Sequence, residues 1–440
     1  MKRIILQPGQ EHRLLAGHPW VFDNEVKSVV GPDGIPKVCP EGLAILEPGE
    51  LVDVESSRKT YIGRAFANPH SKIVARLFSP SKEGVDKGFF KARLRNAVER
   101  RRRNYNLETE SQRLVFAEAD LLPGLIIDRF VGWPAIQAEP FILENNESGK
   151  TIHFDSLRDA LGAPGIWLSV QFLSYGLDIR RDLIFSALEE VIGPVQGIIE
   201  RDDSQVRSLE GLPRVSDIVS GTFPEGGICI FENGFPFIAD PVEGQKTGHF
   251  LDQRDNRRRA ARYTTGKQVL DMCCHTGGFT IHAARAGAAS VLAADISPQA
   301  LDMVRRNALL NGVSDRVSVE AGDVFELLRF YERKHSQFDV IILDPPAFTK
   351  SHKAIEGAIR GYKEINLRAL SLLRRGGVLV TCSCSQAMTE GRFKAMIQDA
   401  AMDAEKRLHL LEFGYQAPDH PILVGYEESL YLKCGVYQVL

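Results

Sequence analysis

The stretch Gln268-Val269-Leu270-Asp271-Met272-Cys273-Cys274-His275-Thr276-Gly277-Gly278-Phe279 decides how this chain is read. A short apolar run ends in an acid, and a turn with paired glycines follows before a helix begins. Glycines at a strand-to-helix turn let backbone approach a ligand closely, and the ligand then lies at the carboxyl edge of a parallel sheet. The run departs from the G-x-G-x-x-G dinucleotide pattern, and no pyrophosphate-binding loop is evident. A tight turn without a ligand is the plain alternative, so the neighbouring strand ends carry the decision.

Outward from this point, short apolar runs alternate with helical stretches, which predicts a parallel sheet covered by helices, an α/β domain of the Rossmann-like kind. Strands are expected at 268–272, 290–295, 317–321, 338–344 and 377–382. Between the second and third, Ser297 can cap a helix, Pro298 fits its first turn, Leu301, Val304 and Ala308 share one face, and Gly312 follows its end. The segment 430–439 alternates apolar and polar side chains as an edge strand would.

Acids stand at the successive strand ends. Asp295 falls about twenty residues beyond the glycines, where a carboxylate can accept hydrogen bonds from both ribose hydroxyls. That serves NAD and S-adenosylmethionine (SAM) alike. The third strand leads into Gly322-Asp323-Val324, where Asp323 could read an adenine amino group, and the fourth into Asp344-Pro345-Pro346-Ala347-Phe348. A nicotinamide enzyme has no evident need for an acid followed by two prolines. A methyltransferase acting on a base ring does, because a rigid loop holds the ring at the sulfonium while Asp344 hydrogen-bonds its edge. The candidate cofactor set is therefore Asp271, Thr276, Gly277, Gly278, Asp295, Ile296, Asp323, Val324 and Asp344.

After the fifth strand comes Thr381-Cys382-Ser383-Cys384-Ser385. A thiol at this edge, near a sulfonium and loop amide dipoles, could serve as a nucleophile. Carbon 5 of cytosine needs such help: addition of a thiolate at carbon 6 makes it enamine-like. The alternative is that these are small buried residues closing a strand. A zinc site from Cys273, Cys274, His275, Cys382 and Cys384 lacks the usual two-to-four-residue ligand spacing, and no metal is expected.

The rest of the chain sets the frame. At 440 residues it exceeds the roughly 250–300 at which one core stops growing, so two or three domains are expected. Hydrophobic residues at 44% and charged residues at 25% describe an ordinary globular protein. The opening Met1-Lys2-Arg3-Ile4-Ile5-Leu6 is too short for a signal core, no apolar run approaches a membrane span, and the cytoplasm is the expected location. Seven cysteines without a framework read as reduced thiols. A net charge of -3 argues against coating nucleic acid through bulk charge. Two basic runs, Lys91 to Arg103 and Arg254 to Arg262, read equally as solvated helix faces or phosphate contacts. We expect a β-rich module over 1–78, an α+β module over 79–196, and a connecting hairpin with the catalytic domain over 197–440. A homodimer is one state such a chain could adopt.

With these residues in view, the chain resembles the RlmI-like family of bacterial ribosomal RNA large-subunit methyltransferases, which carry a PUA domain, a middle domain and a class I SAM domain. The likeness spans nearly the whole chain. It rests on Gly244-Gln245-Lys246-Thr247-Gly248, the run Phe250 to Arg257, Thr276-Gly277-Gly278-Phe279, Asp344-Pro345-Pro346, Gly361-Tyr362-Lys363 with Asn366, Ser383-Cys384-Ser385 and Asp419-His420-Pro421. Gly17-His18-Pro19-Trp20-Val21-Phe22 is similar to the PUA opening, and Leu122-Pro123-Gly124-Leu125 with Asp128-Arg129 to the middle domain. The resemblance implies SAM as cofactor, large-subunit ribosomal RNA as partner, Cys384 rather than Cys382 as nucleophile, and Asp344 aligning the target ring. It also implies that Phe250 and Arg254 lie on a segment closing over SAM. A guanine-nitrogen methyltransferase and an RNA-binding protein without catalysis are the alternatives. His249, His275 and Ala347 depart from the family pattern, and the segment 137–169 is longer than usual.

Overall fold

A computed structural model describes residues 1–244, 248–348 and 355–440, and three seven-stranded sheets organise it. The first sheet runs from the strand Lys2–Leu6 to Ile73–Ser79 and closes over Ile4, Leu6, Val52, Val54, Ala65 and Val74. Within this expected β-rich module the apolar run 43–46 is not a strand: Leu43 to Ile45 lie in the 3-10 turn Glu41–Ile45 and Leu46 caps it. Pro40 starts that turn, and Leu46 is apolar because it plugs the core, not because it pairs.

The second sheet begins at Gln112–Phe116 and ends at Phe235–Ala239, with the helices Lys87–Arg102 and Arg181–Ile192 packing Phe90, Leu94, Ile184 and Leu188 against it. The expected boundary near Gln196 falls inside this sheet. Gly165–Phe172 pairs in parallel with Gly197–Asp202 across the helix Arg181–Ile192, and the expected connecting hairpin, Ile228–Glu232 with Phe235–Ala239, pairs onto Leu125–Pro134. The last of these pairings joins residues such as Ile228 and Pro134 that lie far apart in sequence, which local patterning does not register. The extended segment supplies the helices Ala135–Glu147 and Phe154–Leu161. They brace the helix Pro298–Leu310: Glu139 pairs with Arg306, and Asn146 Nδ2 donates to the Leu310 carbonyl at 2.9 Å.

The third sheet holds the strands Gln268–Met272, Ser290–Asp295, Val317–Ala321, Phe338–Leu343, Leu373–Ser383, Leu408–Gly414 and Lys433–Val439. Numbered in that order, they lie third-second-first-fourth-fifth-seventh-sixth. The first five are parallel and the seventh is antiparallel to the fifth and sixth. Lys433–Val439 is thus not the edge strand its alternation suggested. It is buried between two neighbours, and Leu408–Gly414 takes the edge. Leu270, Ile341, Leu343 and Leu379 face one helical layer, and Val269, Val340, Ile342 and Val380 the other, where Ile228, Ile230 and Phe237 of the second sheet join the same core. Each such side chain contributes ~1.5–3 kcal/mol by leaving water. Burial on both faces is what gives parallel strands their continuous apolar runs. Strand order reverses between the first and fourth strands, so a ligand site is expected beyond their carboxyl ends.

Among the described residues, no helix is long and apolar enough to cross a membrane.

Candidate active site

Asp271 stands one residue before the end of the first strand and is fully buried. Its Oδ2 accepts from Thr280 Oγ1 at 2.6 Å, and its Oδ1 has no hydrogen-bond partner among the described residues. Burial, opposed by the Thr280 hydrogen bonds and reinforced by Asp344 and Asp295, pushes this carboxyl up to about 7. The loop that follows is strained: Cys273 and His275 sit at φ of 59° and 50°, a region that residues with a Cβ seldom occupy. Gly277 begins the next helix at φ of 83°. At Gly278 a Cβ would stand 2.4 Å from Arg257 Nε, because the guanidinium crosses there to reach Glu232 at 2.8 Å. His249 joins the same buried cluster, 3.0 Å from Glu232, which accounts for a histidine at that position.

Asp295 ends the second strand. Its Oδ2 accepts the His275 amide and its Oδ1 the Ser297 amide, each at 2.9 Å, so both oxygens are oriented while lone pairs remain. Ile296 beside it is 71% exposed, an apolar side chain left in solvent at the strand end. Phe250 packs its ring 4.7 Å from that of His275, placing it at the same edge. Asp323 caps the helix Val324–Arg333, accepting the Phe325 amide at 2.9 Å, an arrangement worth about 1 kcal/mol. Val324 is buried beneath it. Asp344 lies half-buried past the fourth strand, and Gln253 Nε2 donates to its Oδ1 at 2.9 Å. The structure gathers the four acids: the Cys273 thiol is pushed up first by burial and then by Asp295, Asp344, Asp271 and Asp323 together.

Arg254 reaches toward the second sheet. Its guanidinium is buried against the Ser111 carbonyl, Glu110 and the Tyr105 ring, tying the catalytic helix to the second sheet. The basic runs are largely spent in the same way: Arg101 is buried with Asp120 at 2.7 Å, Arg93 pairs with Glu83, Arg257 with Glu232 and Arg262 with Glu412. Of the motif 244–248, residues 245–247 lie outside the described residues.

The two candidate thiols separate cleanly. Cys382 is fully buried and faces Cys434 across the fifth and seventh strands. Cys384 lies one step beyond the strand and is partly exposed. Tyr362, fully buried, braces this corner by packing its ring 4.5 Å from Phe348 of the Asp344-Pro345-Pro346 loop, and Asn366 Nδ2 holds the Tyr362 carbonyl at 2.8 Å. Sequence reasoning missed Gln253, which Asn256 orients at 2.7 Å, although it lies inside the run Phe250 to Arg257. It missed Thr280 and Lys433 as well.

These residues fit SAM. An orphaned buried carboxylate oxygen, three more acids at one edge and an exposed apolar side chain beside the Asp295 carboxylate suit a ligand with an ammonium, a sulfonium, a ribose and an adenine. Residues 214–427 match the family of S-adenosylmethionine-dependent methyltransferases, and residues 4–80 match the PUA-like domain. Fold and site together define a SAM-dependent methyltransferase with a PUA-like module ahead of its catalytic sheet. The chain is 38% identical to the ribosomal RNA large subunit methyltransferase I of Shewanella denitrificans, over 99% of each chain, and 38% identical to that of Aeromonas hydrophila, over 98% of this chain and 97% of the relative. It belongs to the ribosomal RNA large subunit methyltransferase I family. A solved SAM-dependent methyltransferase from Streptococcus mutans, 20% identical, superposes over the whole of both chains with a TM-score of 0.77 and shows the same fold.

Proposed function

We propose that this protein forms 5-methylcytosine in large-subunit ribosomal RNA through a covalent adduct with Cys384. The observation that carries the reading is the placement of Cys384 at the carboxyl end of the fifth strand, partly open, while Cys382 is sealed in the core. The names of the full-length relatives support the RNA substrate, and a cytoplasmic location goes with it.

Asp271, Asp295 and Asp323 would hold SAM, with Thr276, Gly277 and Gly278 shaping the loop and Ile296, Val324 and Phe250 lining it. SAM, when bound, supplies an electrophilic methyl group. Asp344, oriented by Gln253, accepts a hydrogen bond from the cytosine edge and aligns the ring. The Cys384 sulfur adds to carbon 6, the carbon 5–carbon 6 π bond opens, and carbon 5 becomes nucleophilic. After methylation a base, with solvent water as the acceptor, takes the carbon 5 proton; the carbon–hydrogen electron pair restores the double bond and expels the thiolate. The PUA-like module would add RNA affinity that falls steeply with salt.

Cys384→Ala should bind SAM and RNA but lose methyl transfer, whereas Cys382→Ser should be far milder. RNA carrying 5-fluorocytosine at the target should trap the unaltered enzyme in a complex that survives denaturation, absent in Cys384→Ala. Near-normal turnover by Cys384→Ala would rule out the covalent route and leave direct transfer to a guanine nitrogen.

A further inference from the structure

Lys433 opens the last strand opposite Ser383 and is 1% exposed. Its Nζ donates to the carbonyls of Ser385 and Tyr431, each at 2.7 Å, so the amine is tied to the backbone of the residue that follows Cys384, while Ser383, the residue before it, lies opposite in the sheet. A buried ammonium with only neutral partners is costly. Among the described residues the ionisable group that raises it is Cys384, when that thiol is ionised.

We propose that Lys433 is the positioning residue that holds Cys384 as a thiolate, its ammonium serving as the buried counter-ion. This deepens the reading of Cys384 as nucleophile and rests on it. The S–H bond breaks, the proton leaves to solvent through the exposed side of Cys384, the electron pair stays on sulfur, and Nζ keeps its three protons. Burial pulls the Lys433 amine down to about 8, against the pull of Cys384 in the other direction. With that pull included it is mostly charged at neutral pH.

Among the described residues, the other groups at this corner do not take that role. The phenols of Tyr362, from the helix Ile355–Leu372, and Tyr431 both feel Cys384, but burial pushes both upward, so they stay neutral. Asp344, which acts on the same Tyr362, opposes a thiolate. Arg113 near Tyr431 is paired with Asp128 at 2.7 Å, and Asp252 accepts from the Tyr431 hydroxyl at 2.5 Å.

The test is the pH dependence of iodoacetamide alkylation at Cys384 in the full chain, read by peptide mass spectrometry. The unaltered protein should alkylate with a midpoint below that of an ordinary thiol. Lys433→Met should raise the midpoint by about one unit, slowing alkylation about tenfold at neutral pH, and Lys433→Arg should recover most of it. An unchanged profile in Lys433→Met overturns the proposal. Should that variant not fold, the coupling is read from the other side. Cys384→Ala must lower the Lys433 titration midpoint, followed by NMR of isotope-labelled lysine, because linkage is reciprocal; an unmoved midpoint there also overturns the proposal. Loss of methylation in Cys384→Ala without any alkylation shift in Lys433→Met defeats the role of Lys433 alone. An alkylation shift with full methylation by Cys384→Ala defeats the nucleophile reading alone.

Discussion

Replacing Asp271 by Asn should stabilise the ligand-free protein in a pH-dependent way. The carboxyl has an ordinary value of 3.8 and is pushed up to about 7 in the folded chain, chiefly by burial. Between those values the native state keeps a proton that the unfolded chain has released, so its contribution to stability falls as pH rises from about 4 to about 7 and stays low above that. A difference of about 3 units at ~1.4 kcal/mol each sets a ceiling of ~4 kcal/mol. Asn does not titrate, its carbonyl can keep the 2.6 Å bond from Thr280, and its amide stands where the orphaned oxygen was. The assay is thermal unfolding of both proteins across pH 4 to 8, taking the difference in midpoint at each pH so that groups common to both cancel. Little difference is expected near pH 4, and a gain of several degrees for Asp271→Asn near pH 8. The same variant should bind SAM more weakly, because the anion that a cationic ligand draws out has gone. Parallel midpoints at every pH would refute the reasoning, since they would mean that Asp271 ionises in the fold as easily as in water.

Asp295→Ala should weaken SAM binding at least tenfold by calorimetry, through lost ribose hydrogen bonds and release of the His275 and Ser297 amides; undiminished affinity would remove Asp295 from the site. Gly278→Ala should cost a few kcal/mol in denaturant unfolding, because its Cβ meets Arg257 Nε at 2.4 Å and the buried pair with Glu232 must shift. A cost below about 0.5 kcal/mol would show that Arg257 yields freely. Arg254→Met should destabilise the protein by ~2 kcal/mol and raise proteolysis between the second and third sheets, while SAM affinity changes less than twofold; a large loss of SAM affinity would return Arg254 to the cofactor site.

Much of this molecule is written in local pattern. Asp271, Asp295, Asp323 and Asp344 could be placed because an apolar strand run, its final acid and the helix signal after it are contiguous, and in a parallel sheet every such acid points to one edge. The helix Pro298–Leu310 was legible for the same reason: its cap, its first-turn proline and its buried face lie within a few turns of one another. What the sequence did not disclose depends on which distant segments meet. The second sheet takes strands from both sides of Gln196, Arg254 turns to a partner 143 positions away, and Lys433–Val439 alternates like an edge strand yet is covered on both sides. That last misreading hid Lys433, since a lysine on an edge strand belongs in solvent. One residue separates Cys382 in the core from the partly exposed Cys384, and it does so because the fifth strand ends at Ser383. The sequence alone determined the chemistry available at the sheet edge, because residue type and strand period are local. Only the tertiary structure decided which thiol is sealed in the core, which is partly exposed, and that Lys433 is buried beside them, because burial and charge pairing are set by segments that meet only when the chain folds.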